Sequence, residues 1–129
     1  MQRVPEAVRR EGPALEGTVW VLQTLAGEPA PAGAGGKAVD LQFLADDKRA
    51  AGFSGCNRYT GGYDFEGVAE HGSPLKLGPI AGTMMACPDG ADLERDYLQA
   101  LGRVTAFRME GDTLSLLAGS EVLATFRAS

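Results

Sequence analysis

The residues best equipped for chemistry in this chain are two cysteines, one histidine and a few clustered carboxylates. Cys56 and Cys87 stand about thirty residues apart, so they are not the C-x-x-C pair of a thioredoxin-like redox site. A structural zinc site takes about four Cys or His ligands. Two cysteines and His71, which sits in a Gly/Ser loop, fall short of that set within one chain. A catalytic thiolate needs a base or a positive neighbourhood. Arg58 offers charge to Cys56, but His71 is the sole histidine partner on offer. Two readings of the cysteines remain: a Cys56–Cys87 disulfide, or two free thiols buried as small hydrophobes. The even count and the position of both beside turns favour the disulfide. In the chain-entropy model, closing a loop of that size contributes roughly 3–4 kcal/mol.

The other candidate constellations read as structure. Paired carboxylates can do acid–base work on a glycoside when held at a set separation. Asp46 and Asp47 instead fall in a hairpin turn, and Asp89, Asp92 and Glu94 at a helix start. The latter spacing is not that of an EF-hand loop. Gly33-Ala34-Gly35-Gly36 lacks the Gly-Lys-Ser/Thr ending of a phosphate cradle. Ser54, Ser73 and Ser115 lack a G-x-S-x-G frame. No nucleophile–base pair can be named, so the expectation is a non-enzyme with no cofactor and no metal.

The elements that position these residues follow from periodicity and turn chemistry. Thr18–Leu25 is β-branched and aromatic, a strand. Ala26–Lys37 holds Pro29, Pro31 and four glycines, a loop. Val39–Phe43 alternates as a half-buried strand, and Arg49–Ser54 pairs back on it across Asp46-Asp47-Lys48. Gly61–Phe65 begins another strand, and Glu66–Ser73 is a polar connection carrying His71. Pro74–Leu77 is a short strand. A helix follows Pro88, with Asp89 as its cap, Asp92 and Glu94 in its first turn and Gly102 at its end. Leu93, Tyr97, Leu98 and Leu101 form its apolar face. Val104–Met109, Thr113–Leu117 and Val122–Arg127 alternate across Gly111-Asp112 and Gly119-Ser120. The fold class expected is α+β, mostly β: a curved antiparallel sheet or half-barrel of about seven to eight strands with one helix packed on it. Trp20, Phe43, Phe65, Leu98, Leu101, Leu114 and Phe126 are expected to share one core.

Gly55-Cys56-Asn57-Arg58-Tyr59-Thr60-Gly61-Gly62-Tyr63 carries a resemblance, together with Leu75-Lys76-Leu77-Gly78-Pro79-Ile80-Ala81-Gly82-Thr83-Met84-Met85-Ala86-Cys87. So do the acidic-started helix ending in Tyr97–Leu101, Trp20 near the first strand, and the closing Leu114-Ser115-Leu116 and Thr125-Phe126 strands. The chain resembles the META domain, also called the HslJ-like domain, over about residues 17–127. One position departs: the family often has a basic residue straight after the Thr of the second motif, and Met84 stands there. The resemblance implies a small bacterial envelope or secreted domain without enzymatic activity, with some relatives linked to heat shock or drug tolerance. It also implies an oxidising compartment for the cysteine pair.

Length and charge set the remaining bounds. At 129 residues the chain reads as one domain, 17–129, behind an N-terminal extension, 1–16. The net charge of −5, with both signs scattered, argues against nucleic acid and against a polybasic membrane anchor. No apolar run approaches the roughly 20 residues of a membrane span. Residues 1–17 have no signal-peptide h-region. An envelope or secreted protein would then be a trimmed chain, with a signal peptide or a lipoprotein's lipobox encoded upstream. A natural start at Met1 would make it cytoplasmic with reduced thiols. The expected partner is an envelope protein or a small apolar ligand met by a monomer. The expected contact surface is the turn that gathers Asn57, Arg58, Tyr59 and Tyr63, mixing hydrogen-bonding and aromatic groups on a loop held by a rigid scaffold.

Overall fold

The computed structural model describes residues 13–65, 73–83 and 85–129. The expected connection bearing His71 and the departing Met84 lie outside them. Among the described residues nine strands and one α-helix run in the order β1 (Val19–Leu25), β2 (Glu28–Pro29), β3 (Asp40–Leu44), β4 (Arg49–Phe53), β5 (Arg58–Phe65), β6 (Ser73–Gly82), α1 (Ala91–Arg103), β7 (Ala106–Glu110), β8 (Thr113–Ala118) and β9 (Glu121–Ala128). A short 3-10 turn at Ala34–Gly36 interrupts the long proline- and glycine-rich connection.

From β3 onward each strand pairs antiparallel with the next in sequence, and β9 returns to pair with β1 from Ala124↔Leu25 to Ala128↔Trp20. The eight longer strands therefore close into a barrel, with the two-residue β2 as an extra strand beside β1. The expected half-barrel goes on to closure through the β9–β1 pairing, which removes most of the unpaired sheet edge and leaves it along β2 and the later part of β6. Irregularities in register help the strands bend, at Gly61/Tyr63 in β5 and at Val122/Ala124 and Thr125/Phe126 in β9.

The thinnest seam lies between β6 and β7, paired only at Ser73↔Phe107 and Pro74↔Ala106. That explains why β6 runs on to Gly82, well past the expected Leu77. Beyond Leu77 it pairs on one side only, with β5, and Pro79 is tolerated because no second ladder needs its missing N–H.

The interior is filled by Trp20, Leu41, Phe43, Tyr97, Leu101, Phe107, Leu114, Leu116 and Phe126, all essentially inaccessible. Five of the seven expected core residues are among them; Phe65 and Leu98 are half-buried and pack against the same cluster. Two structures close the barrel's mouths. Across one lies α1, whose buried Leu93, Tyr97 and Leu101 confirm the apolar face read from spacing. At the other lies the segment 13–17. Leu15 is buried, its carbonyl accepts the Trp20 indole N–H at 3.0 Å, and Glu16 bridges to Phe43. Residues 13–16 are thus part of the packed structure, because a buried leucine and a satisfied tryptophan tie that stretch to the core.

Helix α1 starts on Gly90, not Asp89, and makes no side-chain cap. Gly90 takes φ 92, and a Cβ there would collide with the Gly55 carbonyl. Close approach of the helix start to the Gly55 turn, rather than a capping carboxylate, sets this end. At the other end the helix runs one residue past Gly102, to Arg103.

Candidate functional site

The Ser54–Asn57 turn between β4 and β5 is where the sequence concentrates its polar and sulfur chemistry. Gly55 takes φ 122, and a Cβ on it would press within 3.0 Å of the Glu94 amide nitrogen. Only glycine lets the turn lie against the helix. Its carbonyl accepts the Ala34 N–H at 2.8 Å, drawing the glycine-rich connection into the same junction.

Glu94 is the hub. One carboxylate oxygen accepts the Asn57 N–H at 2.7 Å and the Cys56 N–H at 3.2 Å, and lies beside the Ser54 hydroxyl. The other accepts Asn57 Nδ2 at 2.8 Å. The Ser54 Oγ is also 2.8 Å from the Asn57 carbonyl, and its one proton favours the charged acceptor. Partial burial pushes the Glu94 carboxyl up. The hydrogen bonds from Ser54, from the Asn57 side chain and from the Asn57 and Cys56 amides outweigh that and hold it below its ordinary value.

Asn57 carries the link onward. Its Oδ1 accepts Thr83 Oγ1 at 2.9 Å and the Met85 N–H at 2.7 Å, while Nδ2 also reaches the Met85 carbonyl at 3.2 Å. Both donors and both acceptors of the amide are used. The Cys56–Cys87 disulfide, with Cα atoms 5.9 Å apart, closes the same 83–87 segment onto the turn. The free-thiol alternative falls away: the protein has no other cysteine.

Beneath the turn, Tyr59 Oη donates to the Asp40 carbonyl at 2.9 Å and receives the Tyr97 hydroxyl at 2.6 Å. Burial, followed by the Tyr97 neighbour, raises the Tyr59 phenol well above its ordinary value; burial also raises Tyr97. Tyr63 sits at the opposite mouth, edge-on to Phe43 and donating to Glu16 Oε2 at 2.6 Å.

The residues of the expected contact surface are not all at the surface. Asn57, Tyr59 and Tyr63 are buried, and their polar atoms are spent on internal partners. Of the four, only Arg58 is exposed. Alternation along β5 turns Tyr59 and Tyr63 inward and Arg58 outward, a parity available from spacing alone. Glu94 was legible only as a first-turn acid. The signal for more was a glycine where a capping side chain was due, which leaves the first-turn carboxylate free to serve another loop.

Among the described residues no group of three or more His, Cys, Asp or Glu side chains is placed to hold a metal ion. Concave surface occurs outside the barrel. A cleft of about 370 Å³ beside the turn is lined by Tyr59, Ile80, Thr83, Met85 and Leu98 among others. A larger one, about 550 Å³, lies between α1 and the β1–β2 hairpin.

The model of the META domain matches residues 13–129. The chain belongs to the META-domain family. Its start at residue 13 agrees with the packing of Leu15. A solved structure described as an NMR structure of the protein from Burkholderia xenovorans is similar over 98% of this chain and 99% of its own, at 29% identity and a TM-score of 0.67. A second NMR structure, 20% identical, covers 88% of this chain and 90% of its own with a TM-score of 0.62, and shows the shared fold. The search of curated proteins finds no match.

Proposed function

We propose that this META domain is a non-catalytic binding or structural module of the bacterial envelope or the secreted space, in the stress- or drug-tolerance setting its family resemblance implies. The observation that carries the reading is the Cys56–Cys87 disulfide clamping a turn whose polar groups are already satisfied. Disulfides persist in oxidising compartments. Asn57, Ser54 and Glu94 hold one another, and a carboxylate kept ionised by backbone amides is a poor proton shuttle near neutral pH. The barrel interior, filled by aromatic and aliphatic side chains, leaves carriage of an apolar molecule to the outer clefts.

The test is the thiol state in cells. Rapid acid quenching, alkylation and intact mass, run on envelope, medium and cytoplasmic fractions, should find the protein outside the cytoplasm with no alkylated cysteine. Two alkylated cysteines in a cytoplasmic pool would overturn the reading.

A further inference from the structure

The larger outer cleft joins an apolar floor to an acidic rim. One wall is the β1–β2 hairpin and the residues after it, held rigid by Ala26 N–H to the Leu123 carbonyl and Ala30 N–H to the Gln23 carbonyl, both at 2.9 Å. Pro29 and Pro31 stiffen that wall further. The other wall is a second stripe of α1, Asp92, Asp96, Gln99 and Arg103, at helical spacing and separate from the face that fills the barrel. The floor is apolar: Leu25, Ala30 and Ala100 are half-buried against the core, with Leu93 and Leu123 beneath.

Charge on the rim is one-sided. Glu28, Asp92, Asp96 and Glu121 face a lone lining cation, Arg103, which Glu121 engages at 2.8 Å. Arg95 spans Asp92 at 3.1 Å and Asp96 at 3.5 Å from the solvent side. Arg95 is 62% exposed, so these pairs are readily exchanged for another cation. Glu28 has no side-chain partner among the described residues. A preformed concave site with an apolar floor and a few convergent charges is the usual form of a small-molecule site, and about 550 Å³ suits one drug-sized molecule.

We propose that this cleft binds a small amphipathic organic cation, its apolar body on Leu25, Ala30 and Ala100 and its ammonium among Glu28, Asp92 and Asp96. The proposal rests on the reading of this META domain as a binding module and names the ligand class. The rim is solvent-exposed, so the charge preference is modest and falls as salt rises.

The probe is trimethyl(4-phenylbutyl)ammonium, titrated into the oxidised, isotopically labelled protein, with its uncharged carbon isostere and 4-phenylbutyl sulfonate alongside. Amide shifts should centre on Glu28, Ala30, Asp96 and Ala100, with the cation binding about fivefold tighter than the isostere. Glu28→Gln with Asp96→Asn should abolish that preference while the spectrum elsewhere stays native. Equal binding of the three probes overturns the proposal, as does a shift centred on Met85 instead. So does movement of the same amides on raising protein concentration alone, which would make a second copy the occupant. Any of these leaves the envelope-module reading standing, since that reading falls only on the cellular thiol state.

Discussion

The two mouths of the barrel are closed by different chemistry. At the α1 mouth, a disulfide, a hydrogen-bonded carboxylate and two packed glycines bind four stretches of chain into one junction. At the opposite mouth, the segment 13–17 is held by Leu15, by one indole hydrogen bond and by the Tyr63–Glu16 contact. Lys48 completes that mouth loosely, 3.8 Å from Glu16 and within 5.7 Å of the Tyr63 and Phe65 rings. Aromatic strings line both: Phe126–Tyr97–Tyr59 at the first, Phe107–Phe65–Tyr63–Phe43 at the second. Packing is thus common to both mouths, while covalent bonding is confined to one, and the carboxylate that accepts several amides at that mouth is matched at the other by Glu16 with one phenol and a distant lysine. The difference assigns the most characteristic residues of the chain, Cys56, Asn57 and Cys87, to holding the helix in place.

The largest effect should come from cutting the covalent tie. Replacing Cys56 and Cys87 with Ala should lower stability by roughly 2–5 kcal/mol in urea unfolding. A loss well under 1 kcal/mol would mean that the junction does not depend on the bond.

Next comes Glu94→Ala, which strands the Asn57 and Cys56 amides and should cost about 3 kcal/mol. Its pH dependence has a definite sign. The folded carboxyl lies below its ordinary value of 4.5, so its stabilisation is complete above that pH and fades as pH falls through the lowered folded value. Glu94→Gln should flatten the acid limb of the stability curve, and an unchanged limb would show that another carboxylate sets it.

The paired hydroxyls offer a finer contrast. Tyr97→Phe removes a fully buried donor and should cost about 1–2 kcal/mol. All three tyrosines are raised by burial, so each adds stability present below about pH 10 and lost above it as the unfolded phenols ionise first. Phenolate absorbance appearing near pH 10 in the folded protein would contradict that. The smallest effect is expected at the opposite mouth, where Tyr63→Phe should cost about 1 kcal/mol, since its partner Glu16 is partly solvated.

The comparison also marks where the sequence was legible. Strand alternation and the glycine turns between runs marked β1, β3 and β7 to β9 to within a residue or two, although β8 is buried on both faces. The helix face was equally plain in Leu93, Tyr97 and Leu101. The full length of β6 was hidden, since Pro79 reads as a breaker unless one knows that only β5 pairs there. Closure of β9 on β1 depends on accumulated bend across eight strands, which no local pattern encodes. The Glu94 hub joins residues about forty positions apart through backbone amides, and a backbone amide carries no residue-type signal. Asn57 looked like a surface group for the same reason: its partners are Met85 main-chain atoms, a Thr and that carboxylate.

Native-state hydrogen exchange on the oxidised protein tests the central claim most directly. The Cys56, Asn57 and Met85 amides, donating within the junction, should exchange only through global unfolding. The Gly17 amide, donating to the Phe43 carbonyl at 2.8 Å at the other mouth, should exchange through a cheaper local opening. Exchange in the turn as fast as at Gly17, or faster, would contradict the account.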